Sequence, residues 1–381
     1  MTKKANIAYK YRIFPDENQE ILFAKTFGCC RKIWNLMLGD INKAYKDEHK
    51  KLKPTPAQYK KQYPYLKEVD SLALANVQMN LNKAFSDFYK FRKVGKFRGY
   101  PKFKSRRKSR RSYTTNNQNG TVALGDNFIR LPKAGEVKAV IHRIPDDSWL
   151  LKSATVSQER DGSYYCSVLF EYENNVTPVA LNSDNVIALD YKSDGLYVDD
   201  KGNCPDNHKF YRESARKLAK AQKKLSRKVG SKKKETKSKN YLKQLEKVNK
   251  IHRHIANQRN DFLHKQSDAI TKRYDVICVE TLNMRAISNK KFHNGKATMD
   301  NGYGMFLNML EYKSANRGKY FVKVPWNYPS SQTCNNCGEI HLEMKDLSKR
   351  EISCKCGYHN DRDVNAALNI KSKGLRILGL A

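Results

Sequence analysis

Hydrophobic positions along the chain change period several times, and each change marks a change of element. Ile7, Tyr9, Tyr11 and Ile13 alternate with Ala8, Lys10 and Arg12 before Pro15. A period of two predicts a half-buried strand, and the proline ends it. From Glu17 to about Phe91 the spacing becomes three and four. Ile21, Leu22, Ala24 and Phe27 lead into Ile33, Trp34, Leu36 and Met37, and Leu72, Ala75, Val77, Met79, Leu81, Ala84 and Phe85 resume the pattern after a Pro-containing break at residues 53–64. That is the spacing of amphipathic helices. Beyond residue 120 the texture is β: Thr121 to Leu124, Phe128 to Leu131, Val137 to Ile141, Ala154 to Ser157 and Tyr164 to Leu169, with turn residues Gly125-Asp126-Asn127 and Asp161-Gly162 between runs. Short strands at this spacing predict a small barrel or sandwich. From about Asn185, Val186 to Asp190 and Gly195 to Val198 read as a hairpin. A long basic helical stretch follows, interrupted by a Lys/Ser-rich loop at residues 229–239, and Tyr274 to Glu280 reads as a buried strand.

A chain of 381 residues exceeds one ordinary core and predicts an α+β protein of two or three domains. Hydrophobic residues make up 39%, enough for a globular chain. The net charge of +36 changes the picture most. So large an excess repels itself unless a polyanion neutralises it, and nucleic acid is the expected partner. No apolar run reaches the roughly 18 residues of a membrane span, and the start lacks the apolar stretch of a signal peptide. The expected location is therefore a reducing cytoplasm with no membrane partner, where the nine cysteines are thiols or metal ligands.

Residues 90–111 hold twelve basic side chains in twenty-two positions, interleaved with Phe91, Phe97, Tyr100 and Phe103 around Pro101. A charge run is ordinarily a solvated face. The interleaved rings predict instead an ordered strip that tracks a phosphate backbone through Lys102, Lys104, Arg106 and Arg107. Gln78, Thr115 and Asn116 carry amide and hydroxyl groups suited to base edges. His252 and His254, in the basic helical stretch, are expected to make phosphate or packing contacts.

Asp190 closes the apolar run from Val186, and Glu280 closes the run from Val276. A carboxylate at the end of a buried strand is costly unless something offsets its charge. A third acidic group, Asp361-Arg362-Asp363, stands at a predicted helix start. Each acid alone is more commonly a turn or cap residue. Together, on two strands and one helix, they can clamp two Mg²⁺ ions about 3.5–4 Å apart for phosphodiester hydrolysis.

Cys334-Asn335-Asn336-Cys337-Gly338 and Cys354-Lys355-Cys356-Gly357 are two thiolate pairs separated by sixteen residues. Paired knuckles with a following glycine predict a structural Zn²⁺ held by Cys334, Cys337, Cys354 and Cys356. The second pair is one residue shorter than usual, and His341 or His359 is the alternative fourth ligand. Cys29, Cys30, Cys166, Cys204 and Cys278 fall in apolar patterns or singly and are expected to be structural.

These stretches resemble the TnpB family. Residues 186–196, with Asp190, look like its first RuvC motif, and Ile277-Cys278-Val279-Glu280-Thr281-Leu282-Asn283-Met284 resembles the second. Pro329-Ser330-Ser331-Gln332-Thr333-Cys334 with both cysteine pairs resembles its zinc ribbon, and Asp361-Arg362-Asp363-Val364-Asn365-Ala366-Ala367-Leu368-Asn369-Ile370 resembles the third motif. Residues 100–106, 112–117 and 129–133 are similar to its wedge segment. The resemblance implies a helical recognition domain over residues 17–105, a β-barrel wedge domain split between 1–16 and 106–182, and an RNase H-like (RuvC) domain over 183–381 with a zinc ribbon at about 330–358.

It further implies an RNA-guided DNA endonuclease, one chain per transposon-end guide RNA. Such a protein recognises a short motif beside a double-stranded target and cuts with Mg²⁺ or Mn²⁺ on Asp190, Glu280 and Asp363; Asp361 then caps the helix. The departures are Tyr191-Lys192, where many members have an apolar residue and Gly, and the short second knuckle. A compact type V CRISPR effector shares this core and is the alternative enzyme. A transposition accessory or repressor that binds without cutting is the alternative from another class, and the intact acids count against it.

Overall fold

The strand foreseen in Ile7 to Ile13 is β1 (Lys3–Phe14). In the computed structural model, residues 3–95, 99–206, 209–229, 237–288 and 295–380 are described. Phe97 and most of the loop at 229–239 fall outside them. The chain divides into two compact units, Met1–Asn175 and Val176–Ala381, and the whole is a mixed α+β architecture.

In the first unit, Asp16 starts α1 (Glu17–Glu48) with a capping box in which its side chain accepts from the Gln19 backbone N–H. The proline-containing break holds two short 3₁₀ turns, and Asp70 caps α2 (Ser71–Lys93). Strands β2 (Arg111–Asn116), β3 (Ala123–Leu124), β4 (Phe128–Leu131), β5 (Gly135–Val140), β6 (Leu150–Gln158) and β7 (Tyr164–Asn174) complete it. They form one seven-stranded sheet in the order β2-β6-β7-β1-β5-β4-β3, with every pair antiparallel. The predicted barrel or sandwich is thus a single sheet, and among the described residues no ladder joins its edge strands β2 and β3. β1 sits in its middle, running from Lys3 opposite Asn174 to Ile13 opposite Tyr164 of β7. The helices and the sheet share one core. Phe23 and Phe27 of α1 meet the Tyr113 ring of β2, with centroids 6.1 and 5.9 Å apart.

The second unit contains β8 (Val186–Lys192), β9 (Leu196–Asp199), α3 (Phe210–Arg227), α4 (Lys239–Arg273), β10 (Val276–Glu280), α5 (Met284–Ile287), α6 (Gly295–Asn301), α7 (Tyr303–Asn316), β11 (Tyr320–Val324), β12 (Glu351–Ser353), β13 (His359–Asp361) and α8 (Arg362–Leu378). Its main sheet has the order β11-β10-β8-β9; β8, β10 and β11 are parallel and β9 is antiparallel. Both faces are buried. Ile187, Leu189, Ile277 and Val279 pack with Leu263 of α4 and Phe306 and Leu310 of α7. Val186, Ala188, Val276 and Cys278 face the other way, toward Ile370 of α8. Burial on two sides is why these strands read as unbroken apolar runs rather than alternating ones. Among the described residues, no helix is long and apolar enough to cross a membrane.

Candidate active site

Parallel pairing aligns Leu189 with Val279, so the next residues, Asp190 and Glu280, leave neighbouring strands at the same end of the sheet. Asp363 enters from the first turn of α8. All three line one cavity of about 570 Å³ with Tyr191, Lys192 and Arg350. Burial, then the negative charges of Glu280 and Asp363, push the Asp190 carboxyl well above the usual carboxylate range. Burial raises Glu280 to about 7. A buried carboxylate with two further acids beside it is one whose charge a cation relieves, and hard oxygen donors suit Mg²⁺ or Mn²⁺. Among the described residues, the three acids do not close to within 4.8 Å of one another.

The two aspartates of the helix start are used differently. Asp361 is the N-cap, its Oδ1 accepting from the backbone N–H of Asp363 at 2.8 Å and Val364 at 3.1 Å. Asp363 turns to the cavity, where its Oδ2 meets Arg350 at 2.8 Å and Lys192 at 3.8 Å. Buried Arg362 anchors the segment that carries Arg350: its guanidinium donates to the Asp346 carbonyl at 3.0 Å, and its backbone N–H to the Arg350 carbonyl at 2.7 Å. Lys192 opens the turn between β8 and β9, which Asn301 Nδ2 ties down at the carbonyls of Lys192 (3.1 Å) and Ser193 (2.7 Å). A side chain at Gly195 would press on the Lys192 stem, 3.2 Å from its Cδ. Tyr303 lies beneath, fully buried, its hydroxyl without a partner among the described residues and its ring 4.8 Å from that of Tyr191. Burial, then Asp190 and Glu280, raise its pKa well above the ordinary value. Pattern reading singled out neither Arg350 nor Tyr303, and noted Lys192 only as a departure. A charge in a loop or an aromatic at the start of a helix carries no sequence signal of what it will face.

The four predicted cysteines converge, with all their sulfurs within 4.8 Å of one another. Cys334 and Cys356 are 3.7 Å apart, Cys337 and Cys354 3.5 Å. Gly338 and Gly357 take φ of 81° and 84°, the left-handed conformation that turns each knuckle. His359 is not part of the group; it is exposed and bonded to Ser353 Oγ at 2.8 Å. His341 is buried beside Cys354 and Glu339. Four thiolates at this spacing fit a tetrahedral zinc site.

Two asparagines one turn apart on α8 fasten the first knuckle to the helix. Asn365 donates to the Thr333 carbonyl at 2.8 Å and accepts from Asn335 N–H at 3.2 Å. Asn369 donates to the carbonyls of Ser330 and Thr333 at 2.8 and 2.6 Å and accepts from the Asn335 amide at 3.1 Å. The helix that presents Asp363 is therefore held by the cysteine knuckles. Lys371 adds an ion pair to buried Asp200 at 2.8 Å.

In the first unit the basic strip is ordered where described. The Trp34 indole donates to the Lys102 carbonyl at 3.0 Å, Asn35 holds Lys104 through N–H and carbonyl, and the Lys104 ammonium lies 3.7 Å from the Trp34 ring centroid. Lys102, Arg106 and Arg107 are exposed. The prediction for Thr115 needs correcting. It is fully buried, so its hydroxyl cannot meet a base edge. Along β2 the open face falls to its neighbours instead, and Ser112 and Thr114 line a cavity of about 120 Å³ with Arg31, Asn76 and Asn80. Gln78 and Asn116 are half-buried and outside that lining, and His252 and His254 are exposed on α4.

Comparison with known proteins gives the following. Residues 303–370 match a family profile described as "Cas12f1-like, TNB domain", residues 1–51 one described as "Helix-turn-helix domain", and residues 169–291 one described as "Probable transposase". A Streptomyces pristinaespiralis protein described as "Putative RNA-guided DNA endonuclease" is 31% identical, covering 98% of this chain and 91% of its own. The Escherichia coli K12 protein InsQ, with the same description, is 28% identical over 97% and 93%. A mimivirus "TnpB-like protein" is 32% identical over 34% of this chain and 25% of its own. Among solved structures, the Cas12f1 chain of a cryo-EM complex with sgRNA and target DNA superposes with a TM-score of 0.60 at 12% identity, over 97% of this chain and 99% of that one. At that identity the likeness concerns the fold.

Proposed function

The chain belongs to the TnpB family, and from that premise we propose that it is an RNA-guided, divalent-metal-dependent DNA endonuclease cutting at the cavity of Asp190, Glu280 and Asp363. The observation that carries the reading is the meeting of three acids, far apart in sequence, in one cavity of a strongly basic chain. Divalent cations on these carboxylates supply an activated water and a stabilised leaving oxygen. The protein's own residues position them. Burial makes Asp190 and Glu280 poor bare anions, and Asp361 fixes the first turn of α8 so that Asp363 faces inward. Sheet β11-β10-β8-β9 with α8 serves as the RuvC, RNase H-like core. Zn²⁺ on Cys334, Cys337, Cys354 and Cys356 makes the ribbon that holds α8 in place. The seven-stranded sheet of the first unit serves as the wedge, and α1 and α2 as the recognition helices.

Guide RNA and target DNA are the polyanions that the charge of +36 calls for. Lys102, Arg106 and Arg107 are placed to follow a phosphate backbone. Asn76, Asn80 and Thr114 take over the base-reading role first expected of Thr115, with donors and acceptors for a short duplex motif beside the target. Base pairing with one bound RNA supplies the remaining specificity. The test compares cutting of one matched target by the protein with and without its copurified RNA, in Mg²⁺ and in EDTA. Cutting is expected only with RNA, Mg²⁺ and a fixed adjacent motif together. Equal cutting by RNA-free protein would overturn guidance and leave an ordinary nuclease; tight binding with no cutting under any condition would leave a repressor.

A further inference from the structure

We propose that Lys192 and Arg350 form a cationic gate on Asp363: they pair with its carboxylate and transfer to the phosphodiester of an entering DNA strand. This rests on the nuclease reading above and adds two positioning residues to it. Both cations address the same oxygen. Arg350 donates a hydrogen bond to Asp363 Oδ2 at 2.8 Å. Lys192, at 3.8 Å, stands beyond hydrogen-bond reach and is held there by charge. Its ammonium therefore keeps donors to spare.

The placement of Lys192 is built rather than incidental. Asn301, itself 4% exposed, holds the carbonyls of the turn that Lys192 opens. Arg350 is the more open partner: its side chain is 56% exposed, whereas those of Lys192 and Asp363 are 29% and 16% exposed. An ammonium and a guanidinium, both lining the cavity of the acids, match the non-bridging oxygens of a phosphodiester.

The consequence is a linkage between two binding events. Asp363 can serve a divalent ion fully only after giving up its two side-chain cations, and an incoming phosphate draws them off. Strand and metal then assist each other, by the same factor in both directions. The cavity holds its ions weakly until a strand is present.

The experiment uses the RNA-loaded complex with a matched target made uncleavable by methylene-bridged phosphonate linkages, which replace the bridging oxygen and keep both non-bridging oxygens. Mn²⁺ affinity is read by electron paramagnetic resonance with and without the target, and target affinity is read against salt. In the wild type, Mn²⁺ affinity should rise at least about fivefold when the target is bound. In Lys192→Ala, DNA-free Mn²⁺ affinity should rise, the coupling should shrink, and the salt slope for the captured single strand should fall by about 0.7. Lys192→Arg should keep all three near wild type, and thermal melting should show that both variants fold. A Lys192→Ala complex that leaves Mn²⁺ affinity and slope unchanged, or weakens Mn²⁺ binding, overturns the gate. A wild-type complex that binds neither Mn²⁺ nor target removes instead the nuclease reading beneath it.

Discussion

Replacing Gly374 by Ala tests whether α8 sits as close to the sheet as described. Gly374 faces β10, and a methyl there would lie 3.0 Å from Cys278 Cβ and closer still to its Sγ. Cys278 is itself fully buried, with Val322 behind the same spot. Neither group can retreat without moving the helix or the strand. Overpacking of this kind costs about 1–3 kcal/mol, against a gain of about 1 kcal/mol from the better helix propensity of alanine. The net expectation is a loss of up to about 2 kcal/mol. For a unit of this size that lowers the melting temperature by up to roughly 8 °C. Cutting should fall as well, because Asp363 lies eleven residues earlier on the same helix, about 16 Å along its axis. The measurement is thermal denaturation of four proteins: wild type, Gly374→Ala, Cys278→Ala and the double variant. Removing the cysteine sulfur should relieve the clash, with a coupling of about 0.5–3 kcal/mol in the cycle. Gly374→Ala equal to wild type in stability, with no coupling to Cys278→Ala, would refute this account of helix and strand packing.

Asp363→Asn should abolish cutting while leaving guided target binding intact, whereas Asp361→Asn, which keeps an N-cap acceptor, should still cut; cleavage and filter-binding assays on both variants would expose the reverse assignment. Purified protein should contain one zinc per chain by elemental analysis, and a chelator strong enough to extract it should lower both the melting temperature and cutting, since α8 is fastened to the first knuckle. In buffer without added Mg²⁺ or chelator, stability should fall as pH rises from about 4.5 to 7. Over that window native Glu280, raised to about 7, keeps a proton that the unfolded chain has released, and Asp190 shifts the same way. Urea midpoints at pH 5, 6, 7 and 8 measure the slope, Mg²⁺ at pH 8 should restore the loss, and a metal-free midpoint that climbs across the window would contradict the burial assigned to these acids.

The chemistry-bearing residues stood out in the sequence because their surroundings did. Asp190 and Glu280 end apolar runs, and the cysteines announce themselves by spacing. The strands buried on both faces were legible for the same reason. Legibility failed where a single position decides. Thr114 and Thr115 are equivalent in composition, yet the two-residue period of a strand sends one to the open face and one to the core. Strand β2 was hidden by the basic residues before it, and β11, five residues after a lysine, has too little length to signal itself. Asn365 and Asn369 were visible only as part of a motif. Their bonds to Ser330, Thr333 and Asn335 depend on a chain reversal that no local pattern encodes. Lys192 and Arg350 belong to the same class, since their partner Asp363 is chosen by the tertiary fold.

The central position of β1 has a consequence for how the protein is made. Lys3 to Ile13 must wait for Asn174 to Tyr164 before their longest ladder can form. Roughly 150 residues of chain separate the two, and a ribosome adding about 5–20 residues per second takes about 8–30 s to supply them. During that interval the unit has its helices but lacks the middle of its sheet, and β1 offers unpaired backbone to any neighbour. Lys4, Asn6 and Lys10 stay on its exposed positions in the finished fold, and the same polar edge keeps the waiting strand apart from other nascent chains. Exchanging these side chains for apolar ones would therefore reduce the yield of soluble protein well before it altered the melting temperature of the molecules that had folded.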